Sequence, residues 1–179
     1  MGHPRRLRRK FSYPIHPWQK ERIEEEKILV MAYGFKNKRE IWKIGSLLGK
    51  FKVQSKKLIV GTGSHAEDEK SKLLKKLTDL GLLKPNARIA DVLGISLKDI
   101  LERRLQYIVL KKNLAKTTKQ ARQFITHEHI AIGDKTITSP SYLVKVEEEV
   151  IVNFNPNSSL MDTEHPARKI AVAVGEVAK

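Results

Sequence analysis

The stretch TKQARQFITHEHIAIGDKT, residues 118–136, contains two kinds of hydrophobic spacing. Its apolar residues first recur every three or four positions, as on one face of a helix, and then alternate with other residues, as in a β-strand. Thr117 and Gln120 have the spacing of a capping box that would begin the helix. Gly133 and Asp134 can supply the turn of a hairpin. The stretch therefore predicts a short helix that leads into an antiparallel hairpin.

Segments on both sides extend this stretch into a small unit. Upstream, a capping-box spacing at Ser96 begins a helix whose apolar positions continue to Val109. Downstream, Pro140 marks a turn, the acidic run 147–149 is expected to be an exposed turn, and a strand is predicted for 150–154. Two short helices packed on a small antiparallel sheet are an α+β arrangement.

The charge of the chain indicates a polyanionic partner. Its 179 residues contain 35 Lys and Arg against 20 Asp and Glu, a net charge of +15. A small domain needs a net charge of only about 2–8 for solubility, and a larger surplus destabilises the folded state by self-repulsion. Nucleic acid is the first candidate. An anionic membrane surface is a weak second, because no apolar run approaches the roughly 20 residues that span a bilayer.

Cysteine is absent from the chain. Its absence excludes disulfides, cysteine-based zinc sites, iron–sulfur clusters and thiol catalysis. The composition fits a soluble intracellular protein.

Residues 1–20 are predicted to form an extended basic arm. Three prolines oppose helix formation, acidic residues are absent, and aromatic residues are interleaved with the cations. Such a segment is expected to become ordered when phosphates neutralise it, whereas the alternative is a solvated, disordered tail. The candidate RNA contacts in the arm are Arg5, Arg6, Arg8, Arg9 and Lys10.

Three helices are predicted between the arm and the small unit. They run from Trp18 to Tyr33, from Asn37 onward, and from Ser64, where Glu67 completes a capping box. The middle helix has one apolar stripe. The rest of its surface is almost uniformly positive, whereas a solvated face normally mixes both signs. Its candidate contacts are Lys43, Lys50, Lys52, Lys56 and Lys57.

His127 and His129 lie where the predicted helix meets the first strand. A metal ion would need further ligands, and neither Glu128 nor Asp134 stands at a recognisable ligand spacing. Acid–base chemistry would need a pocket and a second polar partner. No Ser-His-Asp order, phosphate loop or pair of carboxylates is evident. We therefore predict no catalytic residue, no metal and no cofactor, and interpret the two histidines as structural or RNA-contacting.

The residues ARQFITHEHIAIGDKTITSPSY (121–142) and LERRLQ (101–106) resemble the RNA-binding domain named after small-subunit ribosomal protein S4. The same domain occurs in pseudouridine synthases, tyrosyl-tRNA synthetases and heat-shock proteins, so by itself it implies RNA binding only. The stretches GHPRRLRRKFSYPIHPWQKERIEEEK, YGFKNKREIWK and LLKKLTDLGLL are similar to the archaeal and eukaryotic form of the ribosomal protein family itself. The cysteine-containing zinc cluster of some bacterial members is not carried over.

This resemblance implies a structural protein of the small (30S) ribosomal subunit in the cytoplasm. It implies binding to 16S rRNA early in assembly, at a helix junction in the 5′ domain. It also implies a position near the messenger RNA entrance beside ribosomal proteins three and five, with an effect on decoding accuracy. Folded RNA would be recognised by shape and phosphates, and neither a membrane nor a small-molecule substrate is expected.

Positions that match the family, or that charge and exposure select, complete the candidate contacts. They are Arg103, Arg104, Lys111, Lys112, Lys116, Thr117, Lys119, Gln120, Arg122, Gln123, His127, His129 and Lys135. The predicted organisation is a basic arm at 1–20, a helical rRNA-binding domain at 21–95, an S4-type RNA-binding domain at 96–154, and a tail at 155–179 that packs back or is disordered.

Two other functions remain open at this point. An RNA-modifying enzyme could use the same domain as a guide, but it would need a catalytic domain, and residues 1–95 offer helices and a basic face instead. A free-standing, ribosome-associated RNA-binding factor is the second alternative.

Overall fold

The computed structural model describes residues 11–162 and 165–166, and it has the predicted α+β architecture. The helices are α1 (Lys20–Tyr33), α2 (Lys38–Val60), α3 (Ser64–Asp79), α4 (Leu97–Glu102), α5 (Leu105–Lys111), α6 (Thr118–Thr126) and α7 (Val146–Ile151), and the strands are β1 (Ile130–Ile132), β2 (Lys135–Thr136) and β3 (Val152–Phe154). The three strands form one antiparallel sheet in the order β2–β1–β3. In the part of the chain that is described, no helix combines the length and apolarity needed to cross a membrane.

The N-terminal helices lie close to their predicted positions. Gly34 ends α1 in the left-handed region, with φ +63°, and α2 begins directly after Asn37. The apolar stripe of α2 is buried. The capping box predicted at Ser64 is wrong, because Ser64 is already the first helical residue and the preceding Gly63 has no side chain to accept a hydrogen bond.

Two apolar clusters form the core. The first cluster joins α1–α4 with the 3-10 turn Ile89–Gly94, and the second joins α5, α6, β1 and β3. Ile100 and Leu101 of α4 are fully buried in the first cluster, although they follow the predicted boundary at residue 96. Burial of each such side chain stabilises the fold by about 1.5–3 kcal/mol. The domain boundaries themselves stay predictions, because packing alone does not tell which residues fold as a unit.

The single helix predicted upstream of the hairpin stretch is wrong, since the structure has two helices, α4 and α5, with a break between them. The backbone of Arg104 is extended at the break. The Leu105 N–H donates to the Tyr142 carbonyl at 2.8 Å, and the Val144 N–H donates to the Arg103 carbonyl at 3.0 Å. A distant segment thus supplies hydrogen bonds that a continuous helix would have made within itself.

The interpretation of the acidic run as an exposed turn is also wrong. Residues 147–149 lie within α7, and the strand begins at Val152. The Tyr142 hydroxyl donates to the Glu148 carboxylate at 3.0 Å, and Glu149 is ion-paired with Arg103 at 2.5 Å. These partners come from outside the run, so the local sequence could not indicate that its carboxylates would be satisfied in a helix.

The hairpin is confirmed. Ile132 pairs with Lys135 across the turn, and Gly133 has φ +58°. On its other edge β1 pairs with β3, and Ile130 lies opposite Phe154.

Replacing Gly34 by Ala should destabilise the protein. An added Cβ would lie 2.5 Å from the Thr118 Oγ1 atom, and the positive φ disfavours any side chain. The free energy of unfolding, measured with urea, should fall by about 1–3 kcal/mol. Gly94→Ala is the control, because a Cβ there meets no atom within 4 Å. Equal changes in the two variants would contradict this account of Gly34.

Candidate nucleic-acid interface

One carboxylate of α2 binds two arginines from the second half of the chain. Arg104 donates from Nη2 to Oε2 of Glu40 at 2.7 Å, and Arg122 donates from Nη2 to Oε1 at 2.9 Å. Arg104 is only 2% exposed, and its guanidinium lies 4.8 Å from the centre of the Phe35 ring. The pairing joins α2 to the start of α5 and to the outer side of α6.

The pairing keeps Glu40 ionised. Burial by itself would raise the pKa of Glu40, but the hydrogen bonds and positive charges of Arg122 and Arg104 outweigh burial and hold this pKa below its ordinary value of 4.5. Burial lowers the pKa of Arg104, and the charge of Glu40 opposes that effect. An arginine remains protonated in proteins, so both charges persist at neutral pH.

A cleft of about 360 Å³, here called the junction cleft, opens beside this pairing. Five cationic side chains line it, from Lys36, Arg39, Lys43, Arg104 and Arg122, and Glu40 is the single acidic residue among its lining residues. The Nη1 atom of Arg122 is buried and has no hydrogen-bond partner within the described residues. A phosphate group would satisfy such a donor and the surplus positive charge together.

The predicted contacts on α2 lie on more than one side of the helix. Lys43 lines the junction cleft, whereas Lys50 and Lys57 line a separate groove near Trp42. Lys56 is exposed and Lys52 is half-buried. The predicted lysines of α2 are thus available to solvent, but the structure does not bring them to one point.

The start of α6 is capped as predicted, with one difference. The Thr117 hydroxyl accepts from the Gln120 N–H at 3.1 Å, which confirms the cap. The Gln120 side chain, however, accepts from the Lys116 N–H at 2.8 Å and not from Thr117 itself. Lys116 is half-buried, whereas Lys119, Gln123 and Lys135 are exposed.

Several predicted RNA contacts also hold the protein together. Arg103 pairs with Glu149, and Lys111 lies 3.5 Å from the same carboxylate. The Lys112 ammonium donates to the carbonyls of Val150 and Val152, each at 3.0 Å. Arg103 and Lys112 therefore attach the end of α7 and the start of β3 to the helices. Direct RNA contact by these side chains, and by the buried Arg104, stays a prediction.

The two histidines lie at the joint between α6 and β1. Their rings are stacked with centroids 6.3 Å apart, and His127 is exposed. His129 Nδ1 lies 2.7 Å from the Ser158 hydroxyl, a partner from the C-terminal segment. Among the described residues, no group of three or more His, Cys, Asp and Glu side chains could hold a metal ion.

Sequence reasoning missed three residues of the junction cleft. Lys36 and Arg39 were not among the candidate contacts, and Glu40 had no assigned role. A signal was present, since Glu40 is the one acid in the otherwise basic helix α2. The arm cations Arg5, Arg6, Arg8, Arg9 and Lys10 lie outside the described residues.

Comparison with known proteins supports the resemblance in two ways. Residues 103–150 match the family described as S4 domain. Over 167 residues, the chain is 48% identical to small ribosomal subunit protein uS4 of Nanoarchaeum equitans. The match covers 92% of this chain and 93% of that protein. It is 47% identical over 177 residues to the protein of the same name from Methanococcus aeolicus. That match covers 98% of this chain and 100% of the Methanococcus protein. These matches confirm the resemblance inferred from the residues.

Glu40→Gln should lower the free energy of unfolding at pH 7 by about 3 kcal/mol, because it leaves the buried Arg104 without a counter-charge. The pKa of Glu40 is lower in the folded chain than in the unfolded chain. The stability that ionised Glu40 contributes is therefore complete above its ordinary pKa of 4.5, and it is lost as the pH falls through the lower pKa of the folded chain. Urea unfolding at several pH values should therefore show the two proteins converging below pH 4.5.

Glu24→Gln is the matched control for that prediction. Glu24 pairs with Lys20 at 3.9 Å on the exposed surface of α1, where an ion pair contributes little. If Glu40→Gln were no more destabilising than Glu24→Gln at pH 7, the pairing would not carry the stability assigned to it.

Proposed function

The chain belongs to the family of small ribosomal subunit protein uS4, and on that premise we propose that it is a structural component of the small ribosomal subunit that binds ribosomal RNA. The observation that carries this proposal is the junction cleft, where five cationic side chains face a single carboxylate. As part of the subunit, the protein would lie in the cytoplasm.

Phosphate recognition is the chemistry that the junction cleft fits best. The cations come from α2 and the segment before it, from the start of α5, and from α6, so they are held by separate elements of a packed core. The guanidinium groups of Arg104 and Arg122 are also held by Glu40, so these two side chains lose little conformational freedom when an anion binds. Their buried or partly buried position strengthens their attraction to a phosphate, since solvent screens it less.

The remaining candidate contacts would extend this site across the surface. Lys119, Gln123 and Lys135 are exposed near α6 and the hairpin, and Lys50 and Lys56 are exposed on α2. Contacts of this kind to phosphates position a protein on folded RNA and carry little sequence information directly. The RNA would therefore be recognised by the shape that brings its phosphates to these separate points.

The finer parts of the proposal rest on the family. We propose that the RNA is 16S rRNA, at a helix junction in its 5′ domain, and that binding occurs early in assembly. Neighbours would be ribosomal proteins three and five and messenger RNA near its entrance, with a consequence for decoding accuracy. The role is non-enzymatic. The arm cations would add phosphate contacts that become ordered on the RNA.

Lys43→Ala and Lys119→Ala should each weaken binding to a transcript of the 16S rRNA 5′ domain. Each removes one phosphate contact, so the slope of log affinity against log salt should fall by about one unit. Filter binding between about 50 and 200 mM KCl measures this slope.

Lys27→Ala serves as the matched control for the slope measurement. Lys27 is exposed on α1 directly after three glutamates, and it lies outside the proposed interface. Slopes that are unchanged in all three variants would remove Lys43 and Lys119 from the interface. Loss of the protein from 30S subunits in high-salt washes would favour a free-standing factor over a structural component.

A further inference from the structure

A second concave surface lies on the other side of α2 and has a different chemistry. This groove of about 800 Å³ is here called the aromatic groove. Its defining lining residues are Phe11, Tyr13, Trp42, Gly49, Lys50 and Lys57. Its volume falls in the range of about 300–1,000 Å³ that is typical of ligand pockets, so it has room for a nucleotide.

Aromatic rings form one wall of the aromatic groove. The ring centroids of Phe11 and Tyr13 are 5.1 Å apart, and those of Tyr13 and Trp42 are 5.4 Å apart. The Ser12 N–H donates to the Ser46 hydroxyl at 3.1 Å, which ties this segment to α2. Flat apolar rings that are held in place in this way can stack on a nucleobase of any sequence.

The charges around the aromatic groove favour an anion over a cation. The carboxylate of Glu26 belongs to a residue that is only 5% exposed, and it is neutralised by Arg22 and by Lys38 at 3.3 Å. It also accepts a hydrogen bond from the Trp42 indole N–H at 2.9 Å. The ammonium groups of Lys50 and Lys57 have no such partner among the described contacts. A ligand in the groove therefore meets aromatic rings and two lysines.

Glycine on α2 keeps the aromatic groove open. A Cβ built on Gly45 or Gly49 meets no atom within 4 Å, so packing within the protein does not require glycine at either position. Glycine inside a helix is less stable than alanine, because it loses more conformational freedom on folding. Both residues leave bare helix backbone at the floor of the groove, which allows a ligand to approach closely.

We propose that the aromatic groove binds an unpaired segment of RNA, with a base stacked against Trp42 and the phosphates next to Lys50 and Lys57. This inference rests on the proposed function, since it adds single-stranded RNA to the partner that the junction cleft recognises. It also differs chemically from phosphate binding in the junction cleft, because stacking requires bases that are free of pairing.

The test uses the fluorescence of Trp42 in the full chain. Trp18, the other tryptophan, is 90% exposed, and Trp18→Phe leaves Trp42 as the single reporter. The probe is a single-stranded hexanucleotide, oligo(A). Stacking should quench Trp42, and titration then gives the affinity of the hexanucleotide.

Gly49→Gln, made in the Trp18→Phe protein, should fill the groove. We expect it to weaken hexanucleotide binding by about tenfold, the effect of removing one stacked base. It should not lower Tm, because glutamine is a better helix former than glycine. Gly94→Gln is the control, since Gly94 is also open to solvent and lies outside the groove, and it should leave the affinity unchanged.

Three results would overturn the inference. The first is an absence of Trp42 quenching by the hexanucleotide, and the second is an affinity that Gly49→Gln does not change. The third is equal quenching by polyglutamate. Polyglutamate carries charge without bases, so this result would favour an acidic protein segment as the occupant. Binding of the 5′-domain transcript is measured in parallel. If one of these three results is found while transcript binding still depends on Lys43, the aromatic-groove inference fails and the proposed function stands.

Discussion

The carboxylate of Glu40, shared between Arg104 and Arg122, is the contact on which the arrangement of the two halves depends. An arginine that is almost fully buried needs a counter-charge, because an unpaired buried charge is strongly destabilising. Glu40 supplies that charge from the otherwise basic helix α2. The same contact holds Arg104 and Arg122, two of the five cations that line the junction cleft, beside each other. A stabilising ion pair and a candidate phosphate site are therefore parts of one structure.

Helix α2 connects the core to both candidate surfaces. Its apolar stripe packs into the first cluster, its first turns contribute to the junction cleft, and a third side forms the floor of the aromatic groove. On this third side Trp42, Gly45, Gly49, Val53 and Lys57 recur every three or four positions. A single helix of 23 residues thus carries point charges on one side and flat apolar surface on another. These two chemistries suit phosphates and unpaired bases respectively.

Two errors of the sequence analysis share a physical cause. The apolar spacing from Leu97 to Val109 satisfies a helix throughout, yet backbone hydrogen bonds to residues 142–144 break it at Arg104. The acidic run 147–149 has the composition of a solvated turn, yet Arg103 and Lys111 provide partners that a helix can use. Local spacing reports contacts three or four residues apart and does not report contacts about forty residues apart.

The sequence by itself determined the fold class, the burial of the α2 stripe, the Thr117 cap, the turn at Gly133 and the preference for a polyanion, because each depends on neighbouring residues or on total charge. Its resemblance to one family was also readable from short stretches. Only the tertiary structure decided which cations meet. Glu40 is 64 residues from Arg104 and 82 from Arg122, so their pairing follows from the packing of the two clusters and not from any local pattern. The junction cleft exists for the same reason, whereas the aromatic groove depends on the packing of residues 11–14 against α2.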